Sequence, residues 1–157
     1  MTAARELIQL RDIVFGMVIN MRVMAIDYGD VRTGIAVSDE SASLLSEAWV
    51  IHERNHTKLA QTVASEALTR GVDKIVVGHP KNMNGTIGPR AEKSEKLADE
   101  IRGFCCTEVI MWDERLTTTS ANHILNATGK RGKKRKNTVD AVAASLILEN
   151  YLAFLSK

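Results

Sequence analysis

The sequence predicts one mixed α/β domain: a five-stranded sheet with its first three strands antiparallel, strands 1, 4 and 5 parallel, and helices on both faces. Two observations carry this. Three strand-like runs between residues 23 and 52 follow one another across short connections, which suit antiparallel pairing rather than crossovers. Two later apolar runs alternate with helical periodicity, as in parallel units joined by right-handed crossovers. A length of 157 residues suits a single domain with its own core.

Residues 1–20 stand apart from that domain. "IVFGMVI", Ile13 to Ile19, imitates a short signal core, but Arg5, Glu6, Arg11 and Asp12 precede it and no small-residue cleavage site follows. "NMRVMAIDYG" would make a natural chain start at Met21. We expect an N-terminal extension at 1–20 and a domain at 21–157.

Within the domain, Val23 to Tyr28 is apolar on both pleat faces, as a central strand is. Gly34 to Ser38 and Ala48 to His52 are the next two strands, and "GDVRTG" supplies the turn before them. Leu59, Val63 and Ala67 recur every four residues with Leu68 beside them, and Gly71 closes that helix. Lys74 to Gly78 is the fourth strand. The loop "HPKNMNGTIG" leads to Pro89, suited to the first position of a helix that turns Ala91, Ala98 and Ile101 inward and Glu92 and Lys96 outward. Glu108 to Trp112 is the fifth strand. A helix is expected from about Thr118 to Ala127, then a basic loop, then a long alanine-rich helix capped by Asn137.

Composition removes several function classes. No segment approaches the ~18 apolar residues of a membrane span. The adjacent Cys105 and Cys106 make neither a disulfide framework nor a metal-ligand spacing, and they suit a reducing cytoplasm. His52, His56, His79 and His123 are scattered, and no zinc site is indicated. "KRGKKRK", Lys130 to Lys136, holds six of the 21 basic residues, leaving 15 against 19 acidic residues elsewhere. One positive patch on an acidic body points to a local polyanion contact. Its residues are Lys130, Arg131, Lys133, Lys134, Arg135 and Lys136.

The chemistry-bearing residues are acids. Asp27 follows four apolar residues at a strand end, where burying an unpaired carboxylate costs several kcal/mol. Asp113 and Glu114 end the fifth strand, and both strand ends open on one edge of the sheet. Asp140 falls in the first turn of the expected last helix, near that edge. Such a cluster needs a cation or protons to persist. Oxygen ligands without thiols or close histidines suit Mg²⁺ or Mn²⁺. Each acid also has a plainer use: Asp27 opening a turn, Asp113 and Glu114 solvating a strand exit, Asp140 serving a helix start.

"RVMAIDYGDVRTGIAVSD", "IVVGHPKNMNGTIGPRAEK", "DERLTTTSANHIL" and "KKRKNTVDAVAASLILENYL" resemble, in order, the blocks of the YqgF/RuvX-like family across residues 21–155. The resemblance implies an RNase H-like fold and nuclease activity on the 5′ end of 16S ribosomal RNA precursor or on Holliday junctions. It implies Asp27 as the first-strand metal ligand, Glu114 with Asp113 beside it as the strand-five acid, and Asp140 as the last-helix acid. Arg90 and Arg115 resemble phosphate-facing residues. Many RNase H-fold enzymes also carry an acid at the end of strand four; here "VVGHP" has none, so the ligand set depends on Glu114.

The expected reaction is phosphodiester hydrolysis with two divalent ions, the basic run holding flanking RNA or branched DNA without reading sequence. A monomer or weak homodimer in the cytoplasm is expected. Two other readings stay open. "DYGDVRTG" also resembles the phosphate hairpin of actin-like ATPases and sugar kinases, which need two such lobes. A non-catalytic RNA-binding assembly factor would use the same fold.

Overall fold

A computed structural model describes residues 20–116 and 133–156, with side chains at 20–115 and 141–156. Its strands are β1 (Val23–Asp27), β2 (Arg32–Ser38), β3 (Leu45–His52), β4 (Lys74–His79) and β5 (Glu108–Asp113). Its helices are α1 (His56–Thr69), α2 (Pro89–Phe104) and α3 (Lys133–Leu155), and a 3-10 turn, Glu114–Leu116, follows β5. The sheet order is β3-β2-β1-β4-β5. β1 pairs antiparallel with β2, and β2 with β3, whereas β1–β4 and β4–β5 are parallel. This is the sheet that the sequence predicts.

β1 is buried along its whole length because both of its faces are covered. Met24 and Ile26 pack with Leu59 and Val63 of α1 and with Leu97 and Ile101 of α2. Val23 and Ala25 point the other way, into a second cluster with Ala144, Ile147, Leu148 and Tyr151 of α3. Each large aliphatic chain fully buried here contributes roughly 1.5–3 kcal/mol. Strand alternation therefore places odd-numbered positions of β1 under α3.

Local signals set the helix ends. Asn55 Oδ1 accepts from Lys58 N at 2.9 Å and caps α1, a signal the periodicity alone does not reveal. Gly71 follows the end of α1 with φ +64°, a conformation in which glycine has no steric penalty. Pro89 begins α2 as expected, with Gly88 at the N-cap before it, Ala91, Ala98 and Ile101 buried and Glu92 and Lys96 exposed.

Leu68, beside the buried stripe of α1, is 82 % exposed, because one residue beyond Ala67 is about 100° around the helix. One expectation needs correction. The run Lys133, Lys134, Arg135 and Lys136 is the first turn of α3, not a loop, and Asn137 lies inside the helix. Lysine and arginine are good helix formers, and nothing between 133 and 137 interrupts the backbone ladder. Asp140 consequently stands eighth in α3, not in its first turn. Residues 1–19, Lys130, Arg131 and the helix expected near 118–127 lie outside the described residues.

Candidate active site

Parallel pairing puts the carboxyl ends of β1, β4 and β5 on one edge, the usual ligand edge of an open α/β sheet. Asp27, the last residue of β1, is 8 % exposed there. It continues the Val23–Ala25 row and so falls on the α3 side of the sheet. From the opposite side of β4, the half-buried Glu114 carboxyl in the 3-10 turn comes within hydrogen-bond reach of Asp27. Burial raises the Glu114 carboxyl above its ordinary value. Arg90, the Asp27 hydrogen bond and His79 pull it back, and Asp113 adds to the rise. Two carboxyl groups in hydrogen-bond contact need a proton or a cation between them.

Asp113 is differently placed. It continues the row of Met111, which packs on the α1–α2 side. Arg115 grips it: Nε lies 3.0 Å from both carboxylate oxygens, Nη2 lies 2.6 Å from Oδ2, and the Arg115 backbone N–H donates to Oδ1 at 3.0 Å. That grip holds the Asp113 carboxyl at about 2, below its ordinary 3.8. A depressed carboxyl stabilises the fold fully above its ordinary value and loses that contribution as pH falls toward the depressed one. The stability gap between wild type and Asp113→Asn should close as pH drops from about 4 to about 2. The pair is partly exposed, so the gap should stay under about 1 kcal/mol, read from urea midpoints across that range.

Arg90 stands in the first turn of α2, exposed, with Nη2 3.4 Å from Asp27 Oδ1 and 3.3 Å from the Tyr28 carbonyl. Lys93, one turn on, binds Asp30 at 2.7 Å and ties α2 to the β1–β2 turn. His79 is buried, with Nε2 2.8 Å from Glu95 Oε1 of α2, which fits a packing role. Lys81, which the sequence does not single out, lies near enough to lower the Asp113 carboxyl further. Its one signal is its place in the strand-four loop.

Among the described residues no group of three or more histidine, cysteine, aspartate or glutamate side chains gathers. The third acid of the expected set, Asp140, has its backbone described and its side chain outside the described set. Spacings of four and seven place residue 140 on the α3 face of Ala144 and Ile147, both buried against the sheet. Leu152 and Leu155 of α3 pack in the cluster that holds Met21 and Val23, at the start of β1. The helix thus runs against β1, and its earlier turns lie toward the edge that carries Asp27.

Residues 21–154 match the family described as "RuvX: Holliday junction resolvase". The chain belongs to the RuvX family. A relative from Agathobacter rectalis is 42% identical over 139 residues, covering 87% of this chain and 97% of its own, and its name reads "Putative pre-16S rRNA nuclease". The Fowlpox virus resolvase, solved with Holliday junction DNA, superposes with a TM-score of 0.58 at 14% identity, covering 87% of this RuvX chain and all 100% of its own. T. thermophilus RuvC, in complex with Holliday junction substrate, gives 0.54 at 15% identity, over 85% of this chain and 96% of its own. At such identities the likeness establishes the fold, the RNase H-like one that the RuvX resemblance implies. No described helix is long and apolar enough to cross a membrane.

Proposed function

We propose that this protein is a cytoplasmic, metal-dependent endonuclease that hydrolyses phosphodiester bonds at the 5′ end of pre-16S rRNA. The observation that carries the reading is the Asp27–Glu114 pair, one carboxyl closing β1 and the other just past β5, near each other at the ligand edge across β4. An all-oxygen donor set of this kind fits Mg²⁺ or Mn²⁺. Asp27, Glu114 and Asp140 would hold two such ions. When bound, they supply a more acidic water as nucleophile and a counter-charge for the leaving oxygen.

The chain's own residues do the rest. Asp27 and Glu114, half-dry against β4, keep their charges aimed at one point with little rearrangement. Arg90, whose present contacts at 3.3–3.4 Å are long, is placed to turn to a phosphate oxygen at the mouth of the site. Asp113 fixes Arg115 beside it as a second phosphate-facing cation. The position of Asp140 supports its place among the ligands: charge–dipole effects fade beyond the first turn, so an eighth-position acid gains little as a helix-start residue. Lys133 to Lys136 have the reverse problem, since cations in a first turn oppose the helix dipole. A nucleic-acid backbone at that end offsets the cost, and Lys130 and Arg131 extend the run.

Replacing Lys133, Lys134, Arg135 and Lys136 by alanine should weaken binding about equally across sequences. The slope of log affinity against log salt should fall by about 0.9 for each duplex phosphate the chain no longer touches. An unchanged slope would make the run a solvated surface.

A second reading, resolution of branched DNA, is favoured by the family description and by the resolvase neighbours. The deciding experiment offers purified protein a pre-16S RNA fragment and a four-way DNA junction, each with Mg²⁺ or Mn²⁺. Faster cutting of the RNA at its mature 5′ end supports the first reading, and paired nicks on the junction alone support the second. RNA binding without any cleavage would leave a non-catalytic assembly factor.

A further inference from the structure

Glu114 leaves β5 and meets Asp27 on β1, yet β4 lies between those strands. Two strand spacings, about 9.5 Å, separate the backbones that carry the two acids. The row they cross is defined by the register. Ile26 pairs with Val77, so Asp27 stands beside Gly78, and Gly78 pairs in turn with Trp112, two residues before Glu114. Gly78 follows Val76 by two and therefore also faces α3. A side chain here would stand between the two carboxyls.

Gly78 is buried, and its backbone does not need glycine. Among the described residues the glycines with positive φ are Gly71 and Gly85 only. What it provides is space. A Cβ built on Gly78 would fall closer than 3.0 Å to Glu114 Oε1, 3.1 Å from Glu114 Cδ and 2.7 Å from Ile147 Cδ1. Real Cβ atoms essentially never come under 3.0 Å, so the carboxylate would have to leave.

We infer that Gly78 is a positioning residue: the bare point in β4 through which the strand-five acid reaches the strand-one acid. This rests on the reading of Asp27 and Glu114 as metal ligands and assigns to the strand between them the task of making that pair possible. Under this inference the acid itself is transferable. A carboxylate placed on β4 at this row would occupy the space that Glu114 now fills.

The test uses the full chain and reads thermal unfolding in EDTA against a Mn²⁺ titration. Gly78→Ala touches both Glu114 and Ile147, so it is combined with Ile147→Val, which removes Cδ1 and leaves only the Glu114 collision. Compared with Ile147→Val alone, the double variant should bind Mn²⁺ about tenfold more weakly or worse. A triple variant, Gly78→Asp with Glu114→Ala and Ile147→Val, should regain Mn²⁺ stabilisation that Glu114→Ala with Ile147→Val lacks. This holds the inference to account even if Gly78→Ala does not fold. Unchanged Mn²⁺ affinity in a folded Gly78→Ala/Ile147→Val protein overturns it, as does failure of the relocated acid to restore any response. Asp27→Asn separates the two levels. If it binds Mn²⁺ as wild type does, the metal-site reading itself fails; if it does not, while Gly78→Ala/Ile147→Val does, only the role of Gly78 fails.

Discussion

Asp27→Asn should fold as wild type does and lose cleavage with Mg²⁺ or Mn²⁺. The amide keeps the shape of the side chain and one oxygen, so packing at the end of β1 is preserved. The negative charge that offsets a cation is removed. Loss of an outer-shell partner costs metal sites about 10–100-fold, and a direct ligand should cost more than that. The interaction with Arg90 is 3.4 Å long and gives up only its charge. Stability in EDTA should therefore fall little or even rise, because the carboxyl of Glu114 no longer faces a second acid. The measurements are single-turnover cleavage and circular dichroism on the same preparation. Wild-type cleavage rates in the variant would remove Asp27 from the reaction.

Glu114→Gln and Asp113→Asn, adjacent in sequence, should separate completely. Burial raises the Glu114 carboxyl, so its favourable contribution is present below the ordinary value and lost as pH rises through the raised one. Above that raised value, without metal, the wild-type chain bears that cost and Glu114→Gln does not. The variant should be as stable as wild type in EDTA, or more so, and should lose cleavage. Asp113→Asn carries the opposite signs. It should forfeit a carboxylate that Arg115 stabilises, lose a little stability, and keep activity to within about tenfold if, as its Arg115 contacts suggest against the sequence expectation of a metal ligand, Asp113 orients Arg115 instead of holding an ion. Unfolding in EDTA with cleavage rates distinguishes them, and equal losses in both would mean that Asp113 and Glu114 act as one ligand.

The contrast between these two acids shows where the sequence is readable. Asp27 is conspicuous because a carboxylate closes a run that is apolar on both faces. The parallel pairing of β1, β4 and β5 follows from element order, so the edge it occupies is legible too. Asp113 and Glu114 are not separable in the same way. Strand alternation sends Asp113 to the α1–α2 side with Met111 and puts position 114 in the row of Ile110 and Trp112, on the side Asp27 shares. Which parity of β5 faces which layer is fixed by packing against the helices, and two adjacent acids at a strand end do not reveal it.

Gly78 is harder still, since its contribution is an absent side chain, and in sequence it reads as a strand-ending glycine. The basic run misleads for another reason. Its charge density suggests a solvated loop and Asn137 suggests a cap, but helix propensity favours continuing the ladder through Lys133. That shift moves Asp140 from the first turn into the body of α3. It weakens the plain electrostatic reading of an acid whose use the sequence leaves open.

The most direct test of the carboxylate pair as a metal centre is the unfolding temperature in EDTA and in excess Mn²⁺ for wild type, Asp27→Asn and Glu114→Gln. At about 100 times Kd, a ligand that binds only the native state adds about 2.7 kcal/mol, or about 5–10 °C in a domain of this size. Wild type should show that rise, and both variants should show little of it while unfolding in EDTA at or above the wild-type temperature. No rise in wild type, or an equal rise in all three, would contradict a divalent cation held between Asp27 and Glu114.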